Sequence, residues 1–371
     1  MQELGEMATV LACDASDEGF AHKDTKSISA LLNVDALSRQ ASSAFTLSDM
    51  ITVLAGGVGA ARFLRGLVRT VNPSEITALV NTGDDTVLNG LHISPDIDTV
   101  TYTLAEAIDP QRGWGLRDET WAAMEALQKY VKVRPAGSVA APDWFNLGDK
   151  DLATHFYRTS RLDEGATLSE VTTEIACAWG LSVRLVPMSN DTVSTRVTLA
   201  QDCAAGSRGA SISFQEYFVK HRHDIPVSKI DFVGASTAAP LGLDELRDAE
   251  TVVIAPSNPL VSIGPIRALQ GVNEILAKRR DSVVAISPIV AGAALKGPAD
   301  RMMSELGLEA TVAGVAKLYA PICGTLVIDA ADENLASLVE AEGMRCVVTN
   351  TIMSTPEITT ELARTTIRAW R

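Results

Sequence analysis

The stretch Ile51-Thr52-Val53-Leu54-Ala55-Gly56-Gly57-Val58-Gly59 decides the fold. Its first five residues are apolar or β-branched, which is typical of a buried strand, and apolar residues recur at helical spacing from Ala60 to Val71. The glycines therefore predict a tight turn between a strand and a helix. Backbone N–H groups and the positive helix end can make such a turn a cradle for a diphosphate, although glycine also permits a turn that binds nothing.

The rest of the chain alternates short strands with helix-compatible segments. Further β-rich runs occur at Ile76 to Val80, Val183 to Pro187, Val252 to Ala255, Val283 to Ser287, Thr325 to Asp329 and Arg345 to Val348. This alternation predicts an α/β fold with a Rossmann-like, mostly parallel sheet. Between about 100 and 185 the sequence becomes helical, with helices expected at Asp118 to Val131 and Leu168 to Trp179. We therefore expect a helical lobe inserted into a single domain spanning 50–371.

Composition excludes several classes of protein. The chain has 371 residues, a net charge of −14 and no apolar run near the roughly 20 residues of a membrane span. An acidic chain is also a poor partner for nucleic acid. Its five cysteines are odd in number and widely spaced, which fits a reduced cytoplasm. Residues 1–49 resemble no secretory signal, so we expect a cytoplasmic protein with a flexible extension there.

Two acidic loops follow the predicted strands. Asn81-Thr82-Gly83-Asp84-Asp85 ends the second strand, and Ser94-Pro95-Asp96-Ile97-Asp98-Thr99 precedes a helix. Ligands of open α/β sheets bind at the carboxyl ends of the strands, and Mg²⁺ prefers carboxylate oxygens. The loops therefore predict a magnesium site, the alternative being that Asp96 or Asp98 only caps the following helix.

Three further segments concentrate polar groups. Trp144 to His155 combines aromatic rings with an amide, acids, a lysine and a histidine, whereas Ala255 to Pro265 is a polar loop held between prolines. Lys296, in Leu295 to Asp300, can meet a phosphate. Each segment also has a purely structural interpretation. The first can be a capped helix start, the second a turn, and Lys296 a solvated surface charge.

Taken together, AGGVGAARFL, NTGDD, SPDIDTVTY, WFNLGDKDLATH, VPMSNDTVSTRV, FQEYFV, APSNPLVSIGPI and SPIVAGAALKGPAD resemble the 2-phospho-L-lactate transferase family of coenzyme F(420) biosynthesis. The resemblance covers Ile51 to Thr351 and leaves the first 49 residues outside. It implies a Rossmann-like transferase domain with a helical lobe, a homodimer, and a requirement for Mg²⁺. It also implies that a guanosine diphosphate ester donates a phospholactyl or enolpyruvyl-phosphoryl group to the deazaflavin Fo, with release of GMP.

The resemblance also implies roles for individual residues. Phosphate or nucleotide contacts are expected from Gly56, Gly57, Gly59, Arg62, Ser257, Asn258, Ser262 and Lys296. The acceptor is expected near Asn146, Asp149, Lys150 and His155. Metal ligation is expected from Asp85 and Asp98, with Asp84 as the candidate base and Asp98 also as a catalytic residue.

Two other functions compete with the transferase. A related group of non-catalytic nucleotide-sugar-binding regulators shares the glycine cradle. It carries glycine and serine after its paired acids and lacks a WFNLGDKD-like segment, whereas this chain has both NTGDD and the aromatic segment. An NAD-dependent dehydrogenase disagrees with the glycine spacing, which is not G-x-G-x-x-G, and with the absence of an acid about 20 residues later. The donated acid stays open between phospholactate, phosphoenolpyruvate and a glycerate relative.

Overall fold

Strands and helices alternate along the chain in the computed structural model, which describes residues 50–142 and 144–371. The strands are β1 (Ile51–Ala55), β2 (Ile76–Val80), β3 (Thr86–Leu88), β4 (Leu91–Ile93), β5 (Arg184–Pro187), β6 (Ser194–Leu199), β7 (Ser211–Ser213), β8 (Val227–Val233), β9 (Thr251–Ile254), β10 (Val283–Ile286), β11 (Ile289–Val290), β12 (Ala293–Ala294), β13 (Thr325–Asp329) and β14 (Arg345–Thr349). The extension expected at residues 1–49 lies outside the described residues.

The α-helices flank these strands. They are α1 (Gly57–Leu67), α2 (Pro95–Leu104), α3 (Ala122–Val131), α4 (Asp151–Asp163), α5 (Leu168–Ala178), α6 (Leu243–Asp248), α7 (Gly264–Arg267), α8 (Val272–Lys278), α9 (Ala299–Glu305), α10 (Val312–Tyr319), α11 (Ala336–Ala341) and α12 (Pro356–Arg368). None of those in the described part of the chain has the length and apolar character needed to cross a membrane.

The main sheet has seven parallel strands in the order β14-β13-β10-β9-β1-β2-β5. Strand order therefore reverses between β1 and β9, which lie side by side although β2 and β5 separate them along the chain. In doubly wound sheets, ligands bind in the crevice at such a switch point. The prediction of a Rossmann-like α/β fold is confirmed.

The five inner strands of the sheet, β13, β10, β9, β1 and β2, are buried on both faces. All five residues of β1 are buried, and their side chains alternate between two apolar cores: Leu54 packs into one, and Val53 and Ala55 into the other. Helix α1 covers the second core with residues such as Phe63. Burial on both faces explains why the strand sequence is continuously apolar rather than alternating.

Close backbone approach fixes the position of α1. A Cβ atom at Gly59 would lie 2.1 Å from the carbonyl oxygen of Pro256, in the loop that follows β9. Gly57 has φ of +70°, a conformation that favours glycine. The helix begins at Gly57 rather than Ala60, since the glycine turn forms its first turn.

Helices α2 to α5 lie between β4 and β5 in the chain, where the sequence predicted helical structure. Helix α3 begins at Ala122 and not at Asp118, because Asp118 has φ of +55° and the Glu119 carboxylate instead accepts the N–H of Leu116 in the preceding loop. Helix α5 closely matches the expected range and begins with a capping box formed by Thr167 and Glu170.

A small antiparallel sheet, in the order β7-β6-β8, was not predicted. Burial along β6 alternates between half-buried and buried positions, and the half-buried ones carry polar residues. Its buried side chains pack with Tyr217 and with Val261 of the loop after β9. This sheet therefore brings the segment that follows β7 to the edge of the main sheet.

Candidate functional site

A cleft of about 940 Å³ opens at the carboxyl edge of the main sheet. It is lined by the glycine turn after β1, by Asp84 after β2, by Ser257 after β9 and by Ser287 after β10. The cleft thus lies over the switch point between β1 and β9. Of the residues expected to form the site, those that line it are Gly56, Gly57, Gly59, Arg62, Asp84, Asp98, Asn146, His155, Ser257, Asn258, Ser262 and Lys296.

Asn81 joins the two acidic loops. Its Nδ2 donates to Asp84 Oδ1 at 3.1 Å and to Asp96 Oδ2 at 2.9 Å, and its Oδ1 accepts the N–H of Gly83 at 2.9 Å. All of these side chains are buried. Burial, reinforced by the charges of Asp96 and Asp85, holds the pKa of Asp84 well above its usual range. Burial also raises the pKa of Asp96 to about 6, against hydrogen bonds from Asn81 and Gly57.

Asp85 offers an uncommitted oxygen. Its Oδ2 accepts a hydrogen bond from Ser94 Oγ at 2.6 Å, whereas its Oδ1 is shielded from solvent and accepts no hydrogen bond from residues 50–142 and 144–371. Burial raises the pKa of this carboxyl well above its usual range, although Ser94 and Arg158 oppose the shift. A buried carboxylate oxygen without a donor fits a cation or a proton, so the position suits a hard divalent ion.

Asp98 is already paired with a protein cation. Arg158 of α4 is 1% exposed and donates to both carboxylate oxygens of Asp98, at 3.2 Å to Oδ2 and more closely to Oδ1. Neither Asp96 nor Asp98 caps α2, because Asp96 reaches Gly57 and Asp98 reaches Arg158. A metal ion at Asp98 would therefore have to compete with Arg158 for the carboxylate oxygens.

His155 closes the same network. Its Nδ1 lies 3.3 Å from Arg158 Nη1, and its Nε2 lies 3.2 Å from Asp151 Oδ2. Since an arginine N–H can only donate, Nδ1 is the acceptor in this contact, whereas Nε2 forms no hydrogen bond with the described residues. Asp98, Asp151 and His155 offer ligand atoms within 4.8 Å of one another and could hold a metal ion. In the present arrangement, however, both ring nitrogens of His155 face protein groups.

The glycine turn is tied to the acids. Gly57 N–H, at the start of α1, donates to Asp96 Oδ1 at 2.7 Å. A Cβ atom at Gly56 would lie 2.7 Å from the Cβ of Ser262, so this glycine is required by packing. Ser257 Oγ donates to the carbonyl oxygen of Gly56 at 2.7 Å. The turn is thus built by close packing, and a carboxylate occupies its first N–H.

Two cations line the cleft without partners. Among residues 50–142 and 144–371, no hydrogen bond or ion pair engages Arg62 or Lys296, and both lie near Gly113, where a Cβ atom would be 3.9 Å from Arg62 Nη2 and 3.0 Å from Lys296 Nζ. Burial and the charge of Arg62 lower the pKa of Lys296. Arg112, by contrast, pairs with Asp109 and Glu119. Arg62 and Lys296 are therefore available to an anion.

Asp149 and Lys150, both expected near the acceptor, do not line this cleft. Asp149 accepts the N–H groups of Ala122 and Ala123, at 2.9 and 3.0 Å, and so caps the start of α3; hydrogen bonds, first from Thr120 and then from Ala123, lower its pKa. Lys150 Nζ donates to the carbonyl oxygen of Arg117 at 2.9 Å, beside a smaller pocket.

Several residues of the site were missed from the sequence. Arg158 and Asp151 were given no role, although Asp151, His155 and Arg158 follow the i, i+4, i+7 spacing of one helix face. That spacing was the available signal. Gln215, in FQEYFV, donates from Nε2 to both the carbonyl oxygen and Oδ2 of Asp84, at 3.2 Å each. No sequence pattern indicated that contact.

The family model and the curated relatives that match this chain all describe transferases of one family. Residues 51–365 match the family model described as 2-phospho-L-lactate transferase CofD. A phosphoenolpyruvate transferase of Kitasatospora aureofaciens is 43% identical over 322 residues, covering 85% of this chain and 96% of that protein. The phosphoenolpyruvate transferase of Mycobacterium tuberculosis is 39% identical over 329 residues, covering 85% and 96%.

A solved structure supports the fold. The crystal structure of a UPF0052 family protein from Bacillus halodurans aligns with a TM-score of 0.52 at 14% identity, covering 86% of this chain and 99% of that one. At this identity the likeness concerns the fold alone.

Proposed function

We propose, from the premise that this chain belongs to the 2-phospho-L-lactate transferase family, that it transfers an enolpyruvyl-phosphoryl group to the deazaflavin Fo in coenzyme F(420) biosynthesis. The donor would be a guanosine diphosphate ester, and GMP would be released. Family membership itself makes the chain a transferase of a phosphate-containing group. The names of relatives 39–43% identical support enolpyruvyl as the donated acid rather than phospholactyl.

The observation that carries the proposal is the acid cluster at the switch point. Four carboxylates, from Asp84, Asp85, Asp96 and Asp98, converge there, and the buried cation Arg158 pairs with Asp98. Such a surplus of negative charge suits a divalent cation, which we propose is Mg²⁺. Asp85 would hold it through Oδ1, which accepts no hydrogen bond from the described residues, together with Asp96, which lines the cleft. When bound, the ion would supply charge neutralisation to phosphate oxygens.

The residues of the cleft divide the remaining tasks. Arg62 and Lys296 would bind the anionic groups of the donor, and Ser257, Asn258 and Ser262 would line the nucleotide. The terminal hydroxyl of Fo would attack the distal phosphorus, while the bond from that phosphorus to the bridging oxygen breaks and its electron pair leaves with GMP. Asp84, which lines the cleft, would accept the hydroxyl proton. Positioning and charge neutralisation dominate such transfers.

A coupled assay tests the proposal. Purified full-length protein, Mg²⁺ and Fo are incubated with the phosphoenolpyruvate ester or the phospholactate ester of GDP, and GMP release is measured together with the mass of the deazaflavin. We expect a product heavier by the enolpyruvyl-phosphoryl group, formed faster than its phospholactyl counterpart. Nucleotide-sugar binding without a product from either ester would instead indicate the regulator.

The expected homodimer also stays a prediction. Light scattering at the assay concentration would measure it directly.

A further inference from the structure

A short hairpin carries Lys296 to the cleft. Strands β11 and β12 pair antiparallel and are joined by the two residues Ala291 and Gly292. The first strand is anchored, because Ile289 is fully buried in the core of the main sheet. The hairpin, residues 289–294, does not itself line the cleft, whereas Lys296, two positions after β12, does. The position of Lys296 relative to the core therefore depends on the turn that joins the two strands.

The turn of this hairpin needs support. Ala291 has φ of +50° and Gly292 has φ of +79°. Positive φ at both central residues is typical of a type I′ turn, whose twist matches that of the flanking strands. Glycine adopts such a conformation freely, but alanine does so at a cost, because its Cβ crowds the following carbonyl oxygen. A further contact must therefore hold Ala291 in place.

Asp332 makes that contact. Its Oδ2 accepts a hydrogen bond from the N–H of Ala291 at 2.9 Å. Asp332 is 3% exposed and lies in the short 3₁₀ helix Ala330–Leu335, which follows β13 directly. All five residues of β13 are buried, so the acceptor is fixed to the interior of the main sheet. The hydrogen bond thus ties an exposed hairpin turn to the rigid core.

We propose that Asp332 is a positioning residue, which holds Ala291 and thereby sets the place of Lys296 at the cleft. This inference rests on the proposed function, in which Lys296 binds an anionic group of the guanosine diphosphate donor. Asp332 does not line the cleft, and its negative charge alone would repel a diphosphate. Removing Asp332 should therefore strengthen diphosphate binding if only its charge matters, and weaken it if its hydrogen bond positions Lys296.

Equilibrium binding of GDP separates these two effects, measured by calorimetry on the full-length protein with Mg²⁺. Lys296→Met removes the cation and should weaken GDP binding about tenfold. Asp332→Ala removes one hydrogen bond that holds the turn and should weaken GDP binding about three- to fivefold. Asp332→Asn keeps an oxygen that can accept the same N–H, so its GDP affinity should stay within about twofold of that of the unaltered chain.

A double variant shows whether Asp332 acts through Lys296. When Lys296→Met is already present, Asp332→Ala should change GDP affinity less than about 1.5-fold, because the side chain that it positions is gone. Gly292→Pro breaks the same turn while Asp332 stays in place, since proline cannot adopt positive φ. This change at an exposed position should weaken GDP binding about three- to tenfold.

Asp202→Ala is the matched control. Asp202 Oδ1 also accepts one backbone N–H, that of Arg208 at 2.7 Å, but neither residue lines the cleft, so this replacement should leave GDP affinity unchanged. Unchanged or tighter GDP binding in Asp332→Ala would overturn the inference, as would an equal loss in Asp332→Asn or an undiminished loss when Lys296→Met is present. Should Asp332→Ala fail to fold, normal GDP affinity in Gly292→Pro overturns the inference instead. Failure of the unaltered chain to bind GDP would overturn the proposed function as well, so the two failures are distinct.

Discussion

Replacing Arg158 by methionine should destabilise the protein strongly. The guanidinium is 1% exposed and contacts both oxygens of Asp98, the carbonyl oxygen of His92 at 3.3 Å and the ring of His155 at 3.3 Å. Methionine fills similar space but donates no hydrogen bond. The Asp98 carboxylate, 5% exposed, would then be left without its cation.

The expected cost follows from that unpaired charge. Removing one partner of a buried ion pair typically costs about 3–5 kcal/mol, whereas an exposed pair contributes about 0–1 kcal/mol. Arg161→Met is the matched control: Arg161 lies one turn later on α4 and pairs with Glu174 at 2.8 Å, with both side chains partly exposed. The two substitutions therefore change the same residue type on the same helix but differ in burial.

Urea unfolding followed by circular dichroism measures both losses, in the presence of EDTA so that no metal contributes. Asp98→Asn combined with Arg158→Met removes both charges and should recover about 1–3 kcal/mol relative to the sum of the single losses. Equal losses in Arg158→Met and Arg161→Met would refute the reasoning, because burial would then have no effect on the value of the pair.

Three further single substitutions should change the stability of the protein. The pKa of Asp96 is about 6 in the folded state, above its unfolded value, so the metal-free folded protein is stabilised by protonation of this group as pH falls. This stabilisation is lost between pH 5 and pH 7 in the unaltered chain but is absent at every pH in Asp96→Asn. The free energy of unfolding of Asp96→Asn, measured in urea, should therefore rise by roughly 1 kcal/mol relative to that of the unaltered chain between pH 5 and pH 7. Gly59→Ala should lower stability by about 1–3 kcal/mol or more, seen in the thermal midpoint, since its Cβ would meet the carbonyl oxygen of Pro256. Asp329 Oδ1 accepts the N–H of Ala331 at 3.0 Å, and its Oδ2 accepts the N–H and the hydroxyl of Thr351 at 2.7 and 3.0 Å; these bonds, first that from Ala331, lower the pKa of Asp329 against burial. Asp329→Asn should therefore lose about 1–2 kcal/mol of stability at pH 7, and the difference from the unaltered chain should vanish as pH falls through the depressed pKa of Asp329.

The parallel sheet was predictable because each of its strands is a short, contiguous apolar run. Strand β1 and strand β13 were predicted with their observed bounds, since burial on both faces imposes an uninterrupted pattern. The small antiparallel sheet was not predicted, because the sequence of β6, Ser-Thr-Arg-Val-Thr-Leu, is largely polar and has polar residues on its half-buried face. Its pairing with β7 and β8 depends on turns that no strong sequence signal marks.

The site was predictable as a set of loops but not as a set of contacts. Placing Asp84 and Asp98 at the carboxyl edge needed only the prediction that the strands are parallel. Finding Arg158 against Asp98 required knowledge of a contact across 60 positions, and Gln215 lies 131 positions from Asp84. Such pairs form because α4 and the small sheet pack against the main sheet. The periodicity of the local sequence does not reveal that packing.

The contact between Gly57 and Asp96 links the glycine turn after β1 to the acid cluster. A helix N-terminus attracts anions, yet here its first N–H already faces a carboxylate. A diphosphate approaching this turn would meet Asp96 and Asp84, and their repulsion would oppose binding unless the carboxylates were protonated or shared a cation with the phosphate. At neutral pH, protonation of Asp96 is incomplete because its pKa is about 6. The proposed need for Mg²⁺ thus follows from the contact of this glycine turn with the acid cluster.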